Sequence, residues 1–115
     1  MRGDHVGGQL DLLLLSVLAA GGPAHGYAVI AALRERSGGA FELPEGTVYP
    51  ALHRLERDGL LVSGWDPTAG RRRLRYRITP AGQATLADRQ REWRAHARGV
   101  RAVLRWGSAA ATGSA

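Results

Sequence analysis

Sixteen consecutive residues, Gly46-Thr47-Val48-Tyr49-Pro50-Ala51-Leu52-His53-Arg54-Leu55-Glu56-Arg57-Asp58-Gly59-Leu60-Leu61, constrain the fold of this chain more than any other stretch. They read as a short amphipathic helix closed by a glycine and running directly into a strand. Val48, Leu52 and Leu55 recur at i, i+4 and i+7, so one face is apolar. Pro50 is expected to mark the first turn, where a missing backbone N–H leaves no hydrogen bond unmade. Gly59 is the natural C-cap. Thr47, Tyr49, Pro50, His53, Arg54 and Arg57 fall outside the apolar face. Just downstream, Arg71-Arg72-Arg73-Leu74-Arg75-Tyr76-Arg77 leads into a strand in which Arg73, Arg75 and Arg77 share one side, a period of two. A helix with a polar, basic face beside a basic β-ribbon has the two parts needed to hold a DNA duplex. One enters the major groove and the other rides the phosphates.

Residues 1–9 are glycine-rich and polar and are expected to form a flexible arm. From Leu10 to Ala20 leucines occupy nearly every side of a helix, the pattern of a helix buried on more than one face. Gly21-Gly22-Pro23 ends it. A second helix is predicted over His25–Ser37, with Tyr27, Ile30 and Leu33 near the helical period and Gly38-Gly39 as its terminator. Phe41 and Leu43 suggest a brief extended segment before Pro44, and the third helix starts near Glu45. Strands are predicted at Leu60–Trp65 and Leu74–Thr79, joined through the turn-like Asp66-Pro67-Thr68-Ala69-Gly70. Thr79-Pro80 then signals a helix start, with threonine as N-cap and proline first. That helix is expected to run to about Trp106, leaving residues 107–115 as a disordered tail. The resulting fold class is mainly α with a small β-hairpin: a winged helix-turn-helix over residues 10–79, followed by a long C-terminal dimerisation helix over 80–106.

Composition narrows the function classes. The 115 residues suffice for one domain, and a hydrophobic fraction of 44% argues against wholesale disorder. The absence of cysteine excludes disulfides, thiolate metal sites and a cysteine nucleophile, and fits a reducing interior. The apolar stretch from Leu12 to Ala20 is far short of a membrane span. It also lacks the basic N-region of a secretion signal, so a cytoplasmic protein without a membrane partner is expected. Four histidines, His5, His25, His53 and His96, lie far apart, with no paired carboxylates, phosphate loop or nucleophile elbow. Neither catalysis, a metal centre nor a cofactor is expected. The net charge is +6, and every basic side chain is arginine. Residues 1–70 hold 5 arginines against 8 acids, whereas residues 71–115 hold 11 against 2. Charge this segregated points to a polyanionic partner.

Three motifs together carry a family resemblance. His25-Gly26-Tyr27, the stretch Gly46 to Glu56, and Gly70-Arg71-Arg72 through Tyr76-Arg77-Ile78-Thr79-Pro80-Ala81-Gly82 resemble the PadR family in composition and order, over roughly residues 9–105. The single C-terminal helix is similar to the family's short-form branch. The resemblance implies a homodimeric winged-helix repressor that binds a palindromic operator in double-stranded DNA, often under the control of a small-molecule inducer. The family's wing commonly carries paired tyrosines; here Arg75-Tyr76 replaces one of them with arginine, so this wing is expected to rely more on charge.

Thr47 and Tyr49 offer hydroxyls near the start of the third helix, where free N–H groups and the helix dipole also favour a phosphate. His53 and Arg54 lie further along the exposed face. Arg54 is the best placed for a bidentate contact to guanine, worth roughly 1–3 kcal/mol of discrimination. The alternatives are that Tyr49 packs on the domain and that Arg54 pairs with Asp58 at i+4. Pro50 and Tyr27 complete the candidate DNA-contacting set on the helices. Arg71, Arg72, Arg73, Arg75 and Arg77 repel one another, so a merely solvated face is a costly use of them. Arg71 to Arg73 are expected at phosphates or in the minor groove, with Arg75 and Arg77 nearer the body of the domain.

Leu86, Gln90, Trp93, Ala97, Val100 and Leu104 follow a heptad-like spacing along the last helix. Such a seam needs a partner, most simply the same helix of a second subunit, which also supplies two recognition helices for two half-sites. In multidrug-sensing relatives a tryptophan matching Trp93 forms, with its symmetry mate, the walls of a flat pocket. By that resemblance Asp11, Leu12, Leu15 and Ala97 would line a cavity for a planar aromatic effector. The alternative is that Trp93 simply fills the interface. The rival for the whole chain is a winged-helix module that binds protein or RNA without operator specificity.

Overall fold

The structure, a computed structural model, describes residues 5–68 and 73–113. Its elements are α1 (His5–Gly21), β1 (Ala24–His25), α2 (Gly26–Arg36), α3 (Glu45–Arg57), β2 (Leu61–Trp65), β3 (Leu74–Ile78) and α4 (Pro80–Gly113). The strands form one antiparallel sheet in the order β1-β3-β2. The result is a mainly helical winged helix-turn-helix with a long C-terminal helix. Leu14, Leu15 and Leu18 of α1 meet Val29 and Leu33 of α2, the expected Val48, Leu52 and Leu55 of α3, and Tyr76 of β3 in a single core.

Both ends of α3 have a physical cause. Pro44 is its N-cap, and its carbonyl accepts from the N–H groups of Thr47 and Val48 at 3.0 and 3.1 Å. At the other end Gly59 takes φ +80°, a conformation that favours glycine. There the N–H of Leu60 reaches the Leu55 carbonyl at 2.9 Å and that of Gly59 reaches Glu56 at 3.0 Å, a Schellman closure. Pro50, expected in the first turn, lies inside the helix in its second turn. It is tolerated there because the carbonyl it leaves without a partner belongs to exposed Gly46, where water can serve.

Several boundaries differ from the sequence expectations. α1 begins at His5, so residues 5–9 are helical rather than an arm; residues 1–4 lie outside the described residues. The Arg89 guanidinium of α4 donates to the Gly8 carbonyl at 3.4 Å, a distant partner that no local glycine count reveals. β1 is an addition: Ala24 pairs with Tyr76 and His25 with Arg75, and two residues are too few for any periodicity to announce. Residues 41–44 make no strand. α4 continues past Trp106 to Gly113, through three alanines of high helix propensity, where a disordered tail was expected.

Thr79 roots α4. Its hydroxyl accepts from the Gly82 N–H at 3.0 Å, capping the helix, and donates to the Gly59 carbonyl at 2.7 Å. From that root α4 leaves the domain. The radius of gyration is 17.5 Å, against roughly 13 Å for a compact domain of this length, because the far half of the helix projects.

Candidate nucleic-acid interface

The exposed side of α3 presents Thr47, Pro50, His53 and Arg57. Tyr49 and Arg54, expected there, turn back towards the domain. The Tyr49 ring packs over Gly26, where an added Cβ would stand 2.4 Å from Cε1. This close approach gives the glycine of His25-Gly26-Tyr27 its physical reason. A chain of rings continues inward: Tyr49 to His53 at 6.5 Å between centroids, then His53 to buried Tyr76 at 6.4 Å. α3 is tied to the sheet by Ser63, whose hydroxyl donates to Glu56 Oε2 at 2.6 Å.

The Arg54 guanidinium donates to the Asp11 carboxylate of α1, not to Asp58. Asp11 is only 8% exposed. Burial pushes its carboxyl above the ordinary value. Arg54, and more weakly Arg89, pull the other way without cancelling that rise.

The wing is the β2–β3 hairpin. Tyr76 points inward while Arg75 and Arg77 are exposed, the expected alternation. Arg71 and Arg72 lie outside the described residues. The loop end of the hairpin, just past the Trp65–Leu74 pair, holds a cluster that sequence reasoning missed. His25 Nε2 lies 3.0 Å from Asp66 Oδ2, buried and without a well-aligned hydrogen bond among the described residues. Asp66 Oδ1 accepts from the Thr68 hydroxyl at 2.7 Å and the Thr68 N–H at 2.9 Å. Those two bonds, with smaller help from Arg75 and His25, hold the Asp66 carboxyl below its ordinary value despite some desolvation. His25 also stacks on Tyr27 at 5.4 Å. The available signal was Asp66 itself, a lone acid just ahead of five arginines.

The C-terminal seam divides in two. Leu86 belongs to the chain's own core, so it is not on an open interface as expected. Beyond it, Trp93 is 45% and Leu104 64% exposed, with Val100 also open and Gln90 and Ala97 half-buried. The seam thus continues, uncovered, the same helix face that α4 buries at its root. Trp93 leans on His96, ring centroids 5.5 Å apart. The residues expected around an effector differ in their surroundings within one chain. Leu15 is 0% exposed and packed in the core, Asp11 is committed to Arg54, and only Leu12 and Ala97 join Trp93 in retaining some exposure. Two other concavities exist: an open groove on α4 beside Val100 and Leu104, and a cleft of about 840 Å³ between α1 and α2, lined by Leu13, Val17, Ala28, Ala32 and Phe41.

Among the described residues no group of acids and histidines is arranged to hold a metal ion, and no helix is long and apolar enough to cross a membrane.

Comparison with known proteins agrees with this geometry. The family model described as "Transcriptional regulator PadR-like family" matches residues 14–88. The chain is 50% identical over 58 residues to the transcriptional regulator Rv3488 of Mycobacterium tuberculosis, a match covering 50% of this chain and 54% of that protein, about half its length. A PadR family transcription regulator from Clostridium difficile R20291 superposes with a TM-score of 0.73 at 33% identity, over 83% of this chain and 97% of that one. A transcriptional regulator from Clostridium thermocellum gives a TM-score of 0.77 at 29% identity, over 88% and 95% of the two chains.

Proposed function

Because the chain belongs to the PadR-like family of transcriptional regulators, we propose that it acts as a homodimeric repressor that binds a palindromic DNA operator. The observation that carries this reading is the juxtaposition of the exposed face of α3 with an arginine-bearing wing on one domain. Thr47, Pro50 and His53 are free to face base edges, with Tyr49 packed behind them and Tyr27 exposed beside the wing arginine Arg73. Arg73 and Arg75, with Arg71 and Arg72 next to them in sequence, supply the sequence-independent phosphate term. Dimerisation is supported by the open seam of Trp93, Val100 and Leu104, since an apolar helix face running into solvent is stable only when covered.

An effector fits the same dimer. A planar aromatic molecule would enter between Trp93 and its symmetry mate, bounded by Ala97 and Leu12, and would act by changing the separation of the two recognition helices. Such a site needs both subunits, since each would supply one indole wall.

Binding-site selection from random duplexes tests the reading. Recovery of an inverted repeat with half-sites one helical turn apart is the expected result. Recovery of no sequence preference at all overturns it in favour of an interaction module. Sedimentation at micromolar concentration tests the dimer separately.

A further inference from the structure

The Arg54–Asp11 contact joins α3 to α1 across 43 positions of sequence. We propose that Arg54 is a positioning residue, a strut that sets the recognition helix on the body of the domain with Asp11 as its seat, and that Arg89 ties α4 to the same helix, α1, through Gly8. The DNA consequence rests on the reading above; the strut itself is a relationship within one chain.

Geometry favours the strut over a base contact. A bidentate guanine contact needs the terminal fork of the guanidinium in the groove. Arg54 Nη2 is held by Asp11 Oδ1, so one arm of that fork is already engaged within the domain. Burial favours it as well. A carboxylate as enclosed as Asp11 requires a counter-charge, and swinging Arg54 out to a base would strand it.

Apart from the Ser63–Glu56 bond to the sheet, the other contacts that hold α3 lack direction. Val48, Leu52 and Leu55 secure it by apolar burial, which is strong but non-directional. A charge-assisted bond on the same helix adds direction, and directed contacts position a site to within fractions of an ångström. Thr47, Pro50 and His53 then reach the groove in one orientation.

Two cations and one acid act on Asp11: Arg54 and Arg89 attract, and Asp58 at the end of α3 repels. Arg89 also grips the first turns of α1 through the Gly8 carbonyl, and so links α4 to the helix that carries Asp11. This gives the long helix a physical route to the recognition helix.

The test uses the full chain with Asp11→Asn, Arg54→Gln, the double variant and the conservative Arg54→Lys. Amide hydrogen exchange without DNA is the first arm. Faster exchange in α3 of Asp11→Asn, with α2 unchanged, is expected; unchanged α3 exchange overturns the strut whatever the protein binds. Affinity for the selected operator and its single-base variants is the second arm. Asp11→Asn and Arg54→Gln should each weaken all sequences alike by about tenfold, with the double variant no worse than either and Arg54→Lys largely rescued. If Asp11→Asn binds as well as the parent while Arg54→Gln loses preference at one base pair, Arg54 is a reader and the proposal falls. Failure of the parent to bind any duplex would sink the repressor reading alone, since the exchange arm still decides the strut. Should Asp11→Asn not fold, Arg54→Lys against Arg54→Gln carries both arms.

Discussion

The guanidinium carbon of Arg73 lies 5.0 Å from the centroid of the Tyr27 ring. This places the first described arginine of β3's approach on the opening turn of α2, and Tyr27 in turn stacks on His25. The wing is therefore anchored to the helix-turn-helix by a cation on an aromatic face. Such a contact is worth about 0.5–1 kcal/mol at an exposed site. Replacing Tyr27 with leucine should weaken duplex binding by about that amount with little change in melting temperature, whereas Tyr27→Phe should keep most of it. Fluorescence anisotropy at two salt concentrations checks this. Neutralising Arg73 itself should also flatten the salt dependence, the slope falling by about 0.9 for each phosphate that is no longer neutralised.

The Asp66 carboxylate sets a pH dependence on the acid side. Its hydrogen bonds from Thr68 favour the ionised form in the folded chain and lower its pKa there. The stabilisation is complete above about pH 4, the range of a free aspartate, and is lost as pH falls through the lower folded value. Asp66→Asn should therefore be less stable than the parent at neutral pH, and the difference should shrink on acidification below about pH 4. Thermal melts at stepped pH measure it; a gap that widens on acidification contradicts the assignment.

Gly26→Ala tests the seat of Tyr49. The new methyl would stand between 2.4 and 2.7 Å from three atoms of the phenol ring, which has the domain behind it. Overpacking of this kind costs roughly 1–3 kcal/mol. Chemical denaturation should show the loss, and a smaller residue at position 49 should restore part of it.

Val100→Glu with Leu104→Glu places two carboxylates on the open face of α4. Neither residue contributes to the core of the domain, so folding should persist while the sedimentation coefficient falls to that of a monomer. Operator binding should then become far weaker, since each half-site must be held alone. Retention of the dimer would place its interface elsewhere.

The sequence made some of this structure legible and hid the rest for identifiable reasons. The α3 face of Val48, Leu52 and Leu55, the Gly59 closure, the β3 alternation and the Thr79-Pro80 start are local signals, and each appears where its period or cap chemistry places it. Arg54 and Tyr49 could not be placed that way. Both fall on the polar side of the helical wheel, and what turns them inward is a carboxylate on α1 and a missing side chain at Gly26. Leu86 and Val100 occupy equivalent positions of one heptad-like repeat, yet the domain covers the first and leaves the second open. Periodicity gives a face but not the length over which the chain supplies its own cover. The clamp of His25 and Asp66 was invisible for the same reason: it joins residues 41 positions apart.

At Thr79 the hydroxyl and the N–H return to Gly59 and Leu60, so the chain leaves for the wing and comes back at a single point. The two ends of the hairpin are thus pinned beside the end of α3 and the start of α4, while its strands pack into the core through Leu61 and Tyr76. Lengthening such a closed excursion is cheap: doubling a flexible loop costs only about 0.6 kcal/mol. Insertion or replacement at the hairpin tip should therefore leave the spacing between α3 and α4 unchanged. The hairpin tip proposed to grip DNA by charge is separable from the helices and strands that set the geometry of the domain.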